Sequence, residues 1–234
     1  MDIILIPGLW LDGSSWDRVV PELEAAGHRT HALTLPGMES KDADRSTISL
    51  RDHVTAVVEV IDSLDPEKVV LVAHSAGCAT AHAAVDARPQ RIARAVYIGG
   101  FPTTDGGTIA AGYPAKGSDV PFPSWSEFED EELVDLDDEA RKKFHEHAIP
   151  SPAGVARDRQ QLSDERRYNV PVTAIATEYT TAMLRSWIEQ DMAPVREFSK
   201  ILDVEYVDLP TGHWPQFTRP KELAQAILAI VERV

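Results

Sequence analysis

This chain has a single cysteine and no long apolar run. Cys78 is the single cysteine among 234 residues, so no disulfide can form within the chain and a reducing, cytoplasmic compartment is expected. No apolar run approaches the about 20 residues that a membrane-spanning helix needs. The N-terminus carries Asp2 where a signal peptide would carry basic residues, and the apolar stretch after it ends at Pro7-Gly8. We therefore expect neither a membrane anchor nor a signal peptide.

Basic side chains are also scarce, since 23 lysines and arginines face 38 acidic residues and the formal net charge is −15. A field of this sign repels nucleic acid, anionic membrane surfaces and polyanionic substrates, so none of these is expected as a partner. The length suits one large α/β domain with a modest insertion. We expect a single domain over residues 1–234.

Apolar runs and helical patterns alternate along the chain. Helices are predicted from Trp16 to a cap at Gly27, over 49–64, after 77, over 182–190 and from 220 onward. Strands are predicted at residues 3–6, 31–35, 69–72, 95–98, 170–176 and 204–209. This order predicts right-handed βαβ units, hence an α/β fold with a mostly parallel central sheet and helices on both faces.

The alternation is interrupted at residues 101–167, which we call the cap. This segment begins with proline and glycine and continues with an acidic stretch at 127–139 that is expected to hold one or two short helices. An insertion at this point is predicted to cover the C-terminal edge of the sheet, where ligands bind in such folds. Its aromatic residues are expected mainly to form a small core, with one or two facing a substrate: Phe101, Tyr113, Phe122, Trp125 and Phe128.

Residues 73–77 read Ala-His-Ser-Ala-Gly, between an apolar strand and a run of small residues. This pattern predicts strand, sharp turn and helix, with Ser75 at the apex. Such a turn exposes the hydroxyl above a helix N-terminus, where a backbone N–H can hold a developing oxyanion. Ser75 is therefore the candidate nucleophile. The turn also predicts its partners, which are a histidine after a late strand and a carboxylate between the two.

His213 meets the first of these expectations. It lies in a loop rich in glycine and proline, directly after the last predicted strand. Because serine precedes histidine and each follows a strand at the same end of the sheet, His213 is the candidate general base. His74 is expected to support the turn. His145 and His147 stand two apart in a predicted helix and face different sides, so no metal site is expected.

The third member of the site is a carboxylate that would orient the imidazole and stabilise its cation. Glu178 is the first carboxylate after the predicted strand at 170–176, which makes it the candidate. Asp105 follows the strand at 95–98 and is the alternative. A site with no such acid is a further alternative at this point.

These residues give the chain a family resemblance. It looks like an α/β-hydrolase and resembles the small cofactor-free esterases that include the plant methyl-salicylate esterases and their relatives, the hydroxynitrile lyases. The elbow and the histidine loop are the specific parts of the match. The matching segments are residues 6–9 with Trp16, 23–28, 70–77, 95–102, 176–178 and 212–213.

The resemblance implies the α/β-hydrolase fold and a site without metal or organic cofactor. It makes Ser75 the nucleophile and His213 the base, and it makes the backbone N–H groups of Leu9 and Ala76 the oxyanion hole. The chain departs from the pattern at one important position. Tyr179 stands where the related esterases have their catalytic aspartate, so Glu178 can act only through a one-residue shift of this loop.

The expected activity is hydrolysis of a small to medium carboxylic ester, lactone or thioester through an acyl-enzyme on Ser75. The alternative is a ligand-binding or receptor-like protein with weak hydrolysis on the same scaffold, which the unsettled acid motivates. Lyase activity is disfavoured, because the lyases place a lysine where this chain has Trp214 and a threonine where it has Gly8.

Overall fold

The structure is a computed structural model and describes residues 1–65 and 67–234. In this part of the chain the strands are β1 (Asp2–Ile6), β2 (Arg29–Ala32), β3 (Val69–His74), β4 (Ile92–Ile98), β5 (Asp119–Val120), β6 (Ser151–Pro152), β7 (Val172–Ala176) and β8 (Val204–Asp208). The α-helices are α1 (Val20–Ala25), α2 (Leu50–Ser63), α3 (Gly77–Ala87), α4 (Asp138–His147), α5 (Ala153–Arg157), α6 (Thr181–Glu189), α7 (Pro215–Thr218) and α8 (Pro220–Val231). No described helix has the length and apolar character that crossing a membrane requires.

The central sheet has the strand order β2-β1-β3-β4-β7-β8, and every neighbouring pair in it is parallel. This confirms the predicted parallel sheet. Since parallel strands end at the same edge, the loops after β3, β4, β7 and β8 all open on one side of the molecule. The short strands β5 and β6 form a separate antiparallel pair within the cap.

Apolar side chains fill both faces of this sheet. On β1, Ile4 and Ile6 belong to one buried cluster, whereas Ile3 and Leu5 belong to the cluster on the opposite face. The first cluster is covered by α2 and α3, and the second by α1 and α8. A strand buried on both faces reads as a continuous apolar run, which is why β1 and β3 could be predicted from the sequence.

Two predicted elements differ from the observed ones. The helix expected from Trp16 begins as a 3-10 turn, Gly13–Trp16, and a separate helix, α1, starts at Val20. Pro21 lies in the first turn of α1, where its missing N–H is tolerated but a continuous helix through it is not. The strand expected at 31–35 is instead β2, Arg29–Ala32. After β2 the N–H of Leu33 still donates to the carbonyl of Leu5, but the chain then turns toward Gly37.

The cap lies over the C-terminal edge and joins it through a third apolar cluster. This cluster combines cap aromatics with Trp10 from the loop after β1 and Trp214 from the loop after β8. Trp10 also donates from Nε1 to the carbonyl of Val120 at 3.1 Å and accepts from the N–H of Ile149 at 2.9 Å. The first loop is therefore fixed against the cap.

Candidate active site

Ser75 occupies a strained turn between β3 and α3. Its φ is +53°, a left-handed value that costs free energy in any residue other than glycine. The Ser75 N–H donates to the carbonyl of Ile98 at 2.9 Å, which ties the turn to β4. Small neighbours are required here, since a Cβ on Gly8 would lie 2.9 Å from the Ser75 Cβ and one on Gly77 would lie 2.4 Å from the Pro7 carbonyl oxygen. The predicted elbow is thus present.

His213 lies in the loop between β8 and α7 and points at this serine. Its Nε2 is 2.8 Å from the Ser75 Oγ, which is hydrogen-bonding distance. The His213 backbone is held on both sides, because its N–H donates to the carbonyl of Glu132 at 2.8 Å and its carbonyl accepts from His74 Nε2 at 2.6 Å. His74 is fully buried, and burial together with the charge of His213 lowers its pKa to about 3. A neutral His74 therefore supports the histidine loop.

Glu178 is the carboxylate that contacts the imidazole. Its Oε1 accepts from His213 Nδ1 at 2.8 Å, and its Oε2 accepts from the Thr177 hydroxyl. Asp105 lies elsewhere, where its carboxylate accepts the N–H of Leu162 at 2.9 Å within the cap. The structure therefore brings Glu178, and not Asp105, to the histidine.

Tyr179 points away from the site. Its ring is buried against Phe101 and Trp187, with centroids 5.4 Å apart in both pairs. The loop after β7 thus presents Glu178 to the imidazole one residue before the position that the related esterases use. Gly99 allows this arrangement, because a Cβ there would lie 2.8 Å from the Thr177 Oγ1 and 3.4 Å from the Glu178 Oε2.

The contact between Glu178 and His213 changes the acidity of both groups. Burial alone would lower the pKa of His213, but the charge of Glu178 and its hydrogen bond outweigh burial and raise this pKa above 6.5. Burial would likewise raise the pKa of Glu178, whereas the charge and hydrogen bond of His213 bring it below 4.5. The pair favours an ionised carboxylate beside an imidazole that accepts a proton readily.

A cavity of about 560 Å³ opens above Ser75 and His213. Leu9 and Ala76 line it, and among the described residues neither of their backbone N–H groups donates to another protein group. These two donors are free to bind an oxyanion at the mouth of the elbow. Of the five cap aromatics, the ones that line the cavity are Phe101, Tyr113 and Phe128, while Phe122 and Trp125 pack in the cap cluster.

One further carboxylate, Glu132, reaches this site from the cap. Side-chain ligand atoms of Glu132, Glu178 and His213 all lie within 4.8 Å of one another. A metal ion bound there would have to displace Ser75 or Glu178, since both ring nitrogens of His213 are already hydrogen-bonded. The sequence held no local signal for Glu132, which is one of many acidic residues in the cap, or for the space-making role of Gly99.

Two known proteins of similar sequence align over nearly the whole chain, and a third aligns over less than half of it. Methylesterase 7 from Arabidopsis thaliana is 25% identical over 263 aligned residues, which span 98% of this chain and 96% of that protein. A pyrethroid hydrolase from Sphingobium wenxiniae is 25% identical over 241 residues, spanning 97% of this chain and 86% of that protein. Salicylic acid-binding protein 2 from Nicotiana tabacum is 36% identical over 101 residues, 42% of this chain and 38% of that protein. The expected resemblance to the plant esterases is confirmed.

Solved structures show the same fold. An extracellular alpha/beta-hydrolase from a Paenibacillus species superposes with a TM-score of 0.78 at 21% identity and covers 98% of each chain. A methylesterase from Arabidopsis superposes with a TM-score of 0.76 at 17% identity and covers 100% of each chain. The sequence profile of the alpha/beta hydrolase family matches residues 3–226. With that match and the parallel sheet and serine elbow observed here, the chain belongs to the alpha/beta hydrolase family.

Proposed function

We propose that this protein is a cofactor-free serine hydrolase that cleaves small to medium carboxylic esters, lactones or thioesters through an acyl-enzyme on Ser75. The observation that carries the proposal is the continuous hydrogen-bonded path from Ser75 Oγ through His213 to Glu178, with 2.8 Å at each step. Nucleophile, base and orienting acid stand in this relation in serine hydrolases on unrelated folds. The esterase and hydrolase names of the relatives support the same reaction class.

Acylation begins when His213 Nε2 takes the hydroxyl proton as Ser75 Oγ attacks the ester carbonyl carbon. The carbonyl π electrons move to oxygen, and the N–H groups of Leu9 and Ala76 bind this oxyanion. The imidazolium of His213 is stabilised by Glu178. It then protonates the leaving alcohol, the C–O bond breaks, and the acyl group remains on Ser75.

Deacylation repeats these steps with water as the nucleophile. His213 removes a proton from water as its oxygen attacks the acyl carbon, and the same two N–H groups hold the second oxyanion. The imidazolium returns the proton to Ser75 Oγ, which leaves, and the carboxylic acid is released. No step requires a metal or an organic cofactor.

The cavity supports a substrate of modest size. Its volume of about 560 Å³ falls in the range of roughly 300–1,000 Å³ that is usual for small-molecule sites. Aromatic and small apolar groups form most of its wall, which suits an uncharged acyl or alcohol group. We propose further that residues 1–234 form a single cytoplasmic domain in which residues 101–167 act as the cap of this cavity.

Steady-state kinetics on short-chain and aromatic p-nitrophenyl esters test the mechanism. Ser75→Ala and His213→Ala should each lower kcat by about 10³-fold or more. Glu178→Gln should lower it by about 10²- to 10⁴-fold, because an amide neither stabilises the imidazolium nor fixes its tautomer. Asp105→Asn is the matched control and should leave the rate unchanged. Thermal unfolding of each variant checks that the loss of activity is not a loss of fold.

The outcomes separate the two candidate functions. Full activity in Ser75→Ala would refute the mechanism, and a large loss in Asp105→Asn would mean that the wrong acid has been chosen. A wild-type protein that is labelled at Ser75 by a fluorophosphonate yet shows no multiple turnover would support the receptor-like alternative. The hydrogen bond between Glu178 and His213 supports the hydrolase over this alternative, because it supplies an acid for the imidazole.

A further inference from the structure

Glu132 is a cavity-lining carboxylate that the proposed mechanism does not use. It lines the same cavity as Ser75 and His213. One of its side-chain oxygens lies within 4.8 Å of ligand atoms of His213 and Glu178. A negative charge at this position acts directly on any charged group that enters the cavity beside the imidazole.

The position of Glu132 is fixed by its surroundings. The backbone carbonyl of Glu132 accepts the N–H of His213 at 2.8 Å, and its side-chain Oε2 accepts the N–H of Glu129 at 2.9 Å. A Cβ on Gly212 would lie 2.5 Å from the Glu132 carbonyl oxygen, so the cap and the histidine loop are in close contact here. The carboxylate is therefore held at the site and does not belong to a freely moving surface chain.

The titratable side chains that line the cavity beside Ser75 include two carboxylates, Glu132 and Glu178, and the imidazole of His213. In the part of the chain that the structure describes, no lysine or arginine lines the cavity, and Glu132 forms no ion pair with either residue type. The charge of Glu178 is engaged by His213 at 2.8 Å. The charge of Glu132 acts on His213 from within 4.8 Å and helps to raise the pKa of that imidazole, without the hydrogen bond that Glu178 makes. The net charge of −15 over the whole chain has the same sign as the charge of Glu132.

We propose that Glu132 determines specificity by disfavouring anionic substrates and products, so that the site selects esters whose acyl group is uncharged. This inference rests on the proposed function. An acyl chain that ends in a carboxylate would bring a second negative charge into the cavity that Glu132 lines. A neutral ester meets no such repulsion, and its carboxylate product is repelled once it has formed, which favours product release.

Kinetics on a matched pair of esters test the proposal. p-Nitrophenyl hexanoate and mono-p-nitrophenyl adipate have six-carbon acyl chains that differ at the terminal carbon, a methyl in one and a carboxylate in the other. The wild-type protein should prefer the hexanoate, measured as the ratio of the two kcat/KM values. Glu132→Gln should lower this ratio about tenfold, the effect of one unit charge at close range under partial solvent screening.

Two further variants serve as controls. Glu131→Gln removes the same charge from an exposed neighbour outside the cavity lining and should change the ratio far less. Glu132→Asp keeps the charge and should retain the preference for the hexanoate. Equal ratios in Glu132→Gln and Glu131→Gln would overturn the proposal, because the effect would then belong to the net charge of the molecule.

A binding measurement separates this proposal from the proposed function. In a Ser75→Ala background, hexanoate and hexanamide are titrated while the tryptophan fluorescence is followed, since Trp10 lines the cavity. Adding Glu132→Gln should tighten hexanoate binding about tenfold relative to hexanamide binding. If the wild-type protein hydrolyses no ester but this shift is found, the proposed function fails, whereas the repulsion of anionic ligands by Glu132 stands. If esters are hydrolysed and the shift is missing, the role of Glu132 alone is wrong.

Discussion

Glu178 reaches His213 because the facing residue has no side chain. At Gly99 φ is +53°, and an added Cβ would lie 2.8 Å from Thr177 Oγ1 and 3.6 Å from His213 Nδ1. A glycine in this conformation serves two purposes, since it permits the left-handed turn after β4 and leaves space for the carboxylate. The hydrogen bond on which the proposed mechanism depends is thus set by a residue with no functional group.

Gly99→Ala should impair the site more than the fold. The new methyl group would push on Thr177 and Glu178, and a displacement of about 1 Å in such a group can lower kcat about 10²-fold. Gly106→Ala is the control, because Gly106 also has a positive φ, +72°, but has no atom within 4 Å of its added Cβ. Both variants should lose about 1–2 kcal/mol of unfolding free energy in urea. Equal kcat values in the two variants would contradict the argument.

The raised pKa of His213 sets the pH dependence of the proposed reaction. Burial would lower this pKa, but the charge and hydrogen bond of Glu178 raise it above 6.5. The base acts only when the imidazole is neutral, so kcat/KM should fall as the pH drops through the raised pKa. The acid limb of the pH profile should therefore lie above pH 6.5, and in the residual activity of Glu178→Gln it should move to lower pH. An acid limb that does not move in this variant would argue against the pairing.

At the scale of elements, a buried ionic cluster joins α3 to the segments before β7 and β8. Arg167 donates from Nε to Glu197 at 3.3 Å and from Nη1 to Asp86 on α3 at 3.1 Å. His82, also on α3, lies 3.4 Å from the Glu197 carboxylate. Breaking a buried pair is far more costly than forming it is favourable, because the remaining charge stays buried without compensation.

Arg167→Met should therefore lower the free energy of unfolding by about 3–5 kcal/mol. Urea unfolding followed by circular dichroism measures this change. Arg196→Met is the control, because Arg196 pairs with Asp191 at 2.7 Å on the exposed surface, and removing it should leave the stability nearly unchanged. Similar losses of unfolding free energy in both variants would show that the buried cluster stabilises the fold no more than a surface ion pair does.

At the scale of the whole molecule, the net charge of −15 opposes compaction. Like charges repel across the surface, and dissolved salt screens this repulsion over a Debye length of about 30 Å at 0.01 M and about 8 Å at 0.15 M. Ion pairs on the surface and in the buried cluster offset part of this repulsion. Salt should therefore stabilise this protein at neutral pH.

The thermal midpoint Tm should rise between 10 mM and 150 mM NaCl at pH 7.5. The same increase in salt at pH 5, near the isoelectric point of about 4.9, should raise Tm much less because little net charge remains to be screened. Differential scanning calorimetry at both pH values makes the comparison. An equal rise at pH 5 would assign the effect to general salting-out and not to self-repulsion.

The amino-acid sequence by itself determined the fold and the first two members of the hydrogen-bonded path, Ser75 and His213. Continuous apolar runs reveal strands buried on both faces, and the residues around Ser75 and His213 reveal their loops, because these signals are local. The predicted boundaries of β2 and α1 were less accurate, since they depend on where Pro21 and Gly37 redirect the chain.

Only the tertiary structure decided which carboxylate meets His213 and which second carboxylate enters the cavity. The sequence makes Glu178 the candidate and leaves Asp105 as the alternative, because each follows a strand at the same sheet edge. Which of the two carboxylates reaches His213 depends on the path of the loop after β7 and on the space at Gly99. Glu132 reaches the site because the cap folds back over the sheet edge. Contacts between distant segments arise from packing, and packing leaves no local pattern in the chain.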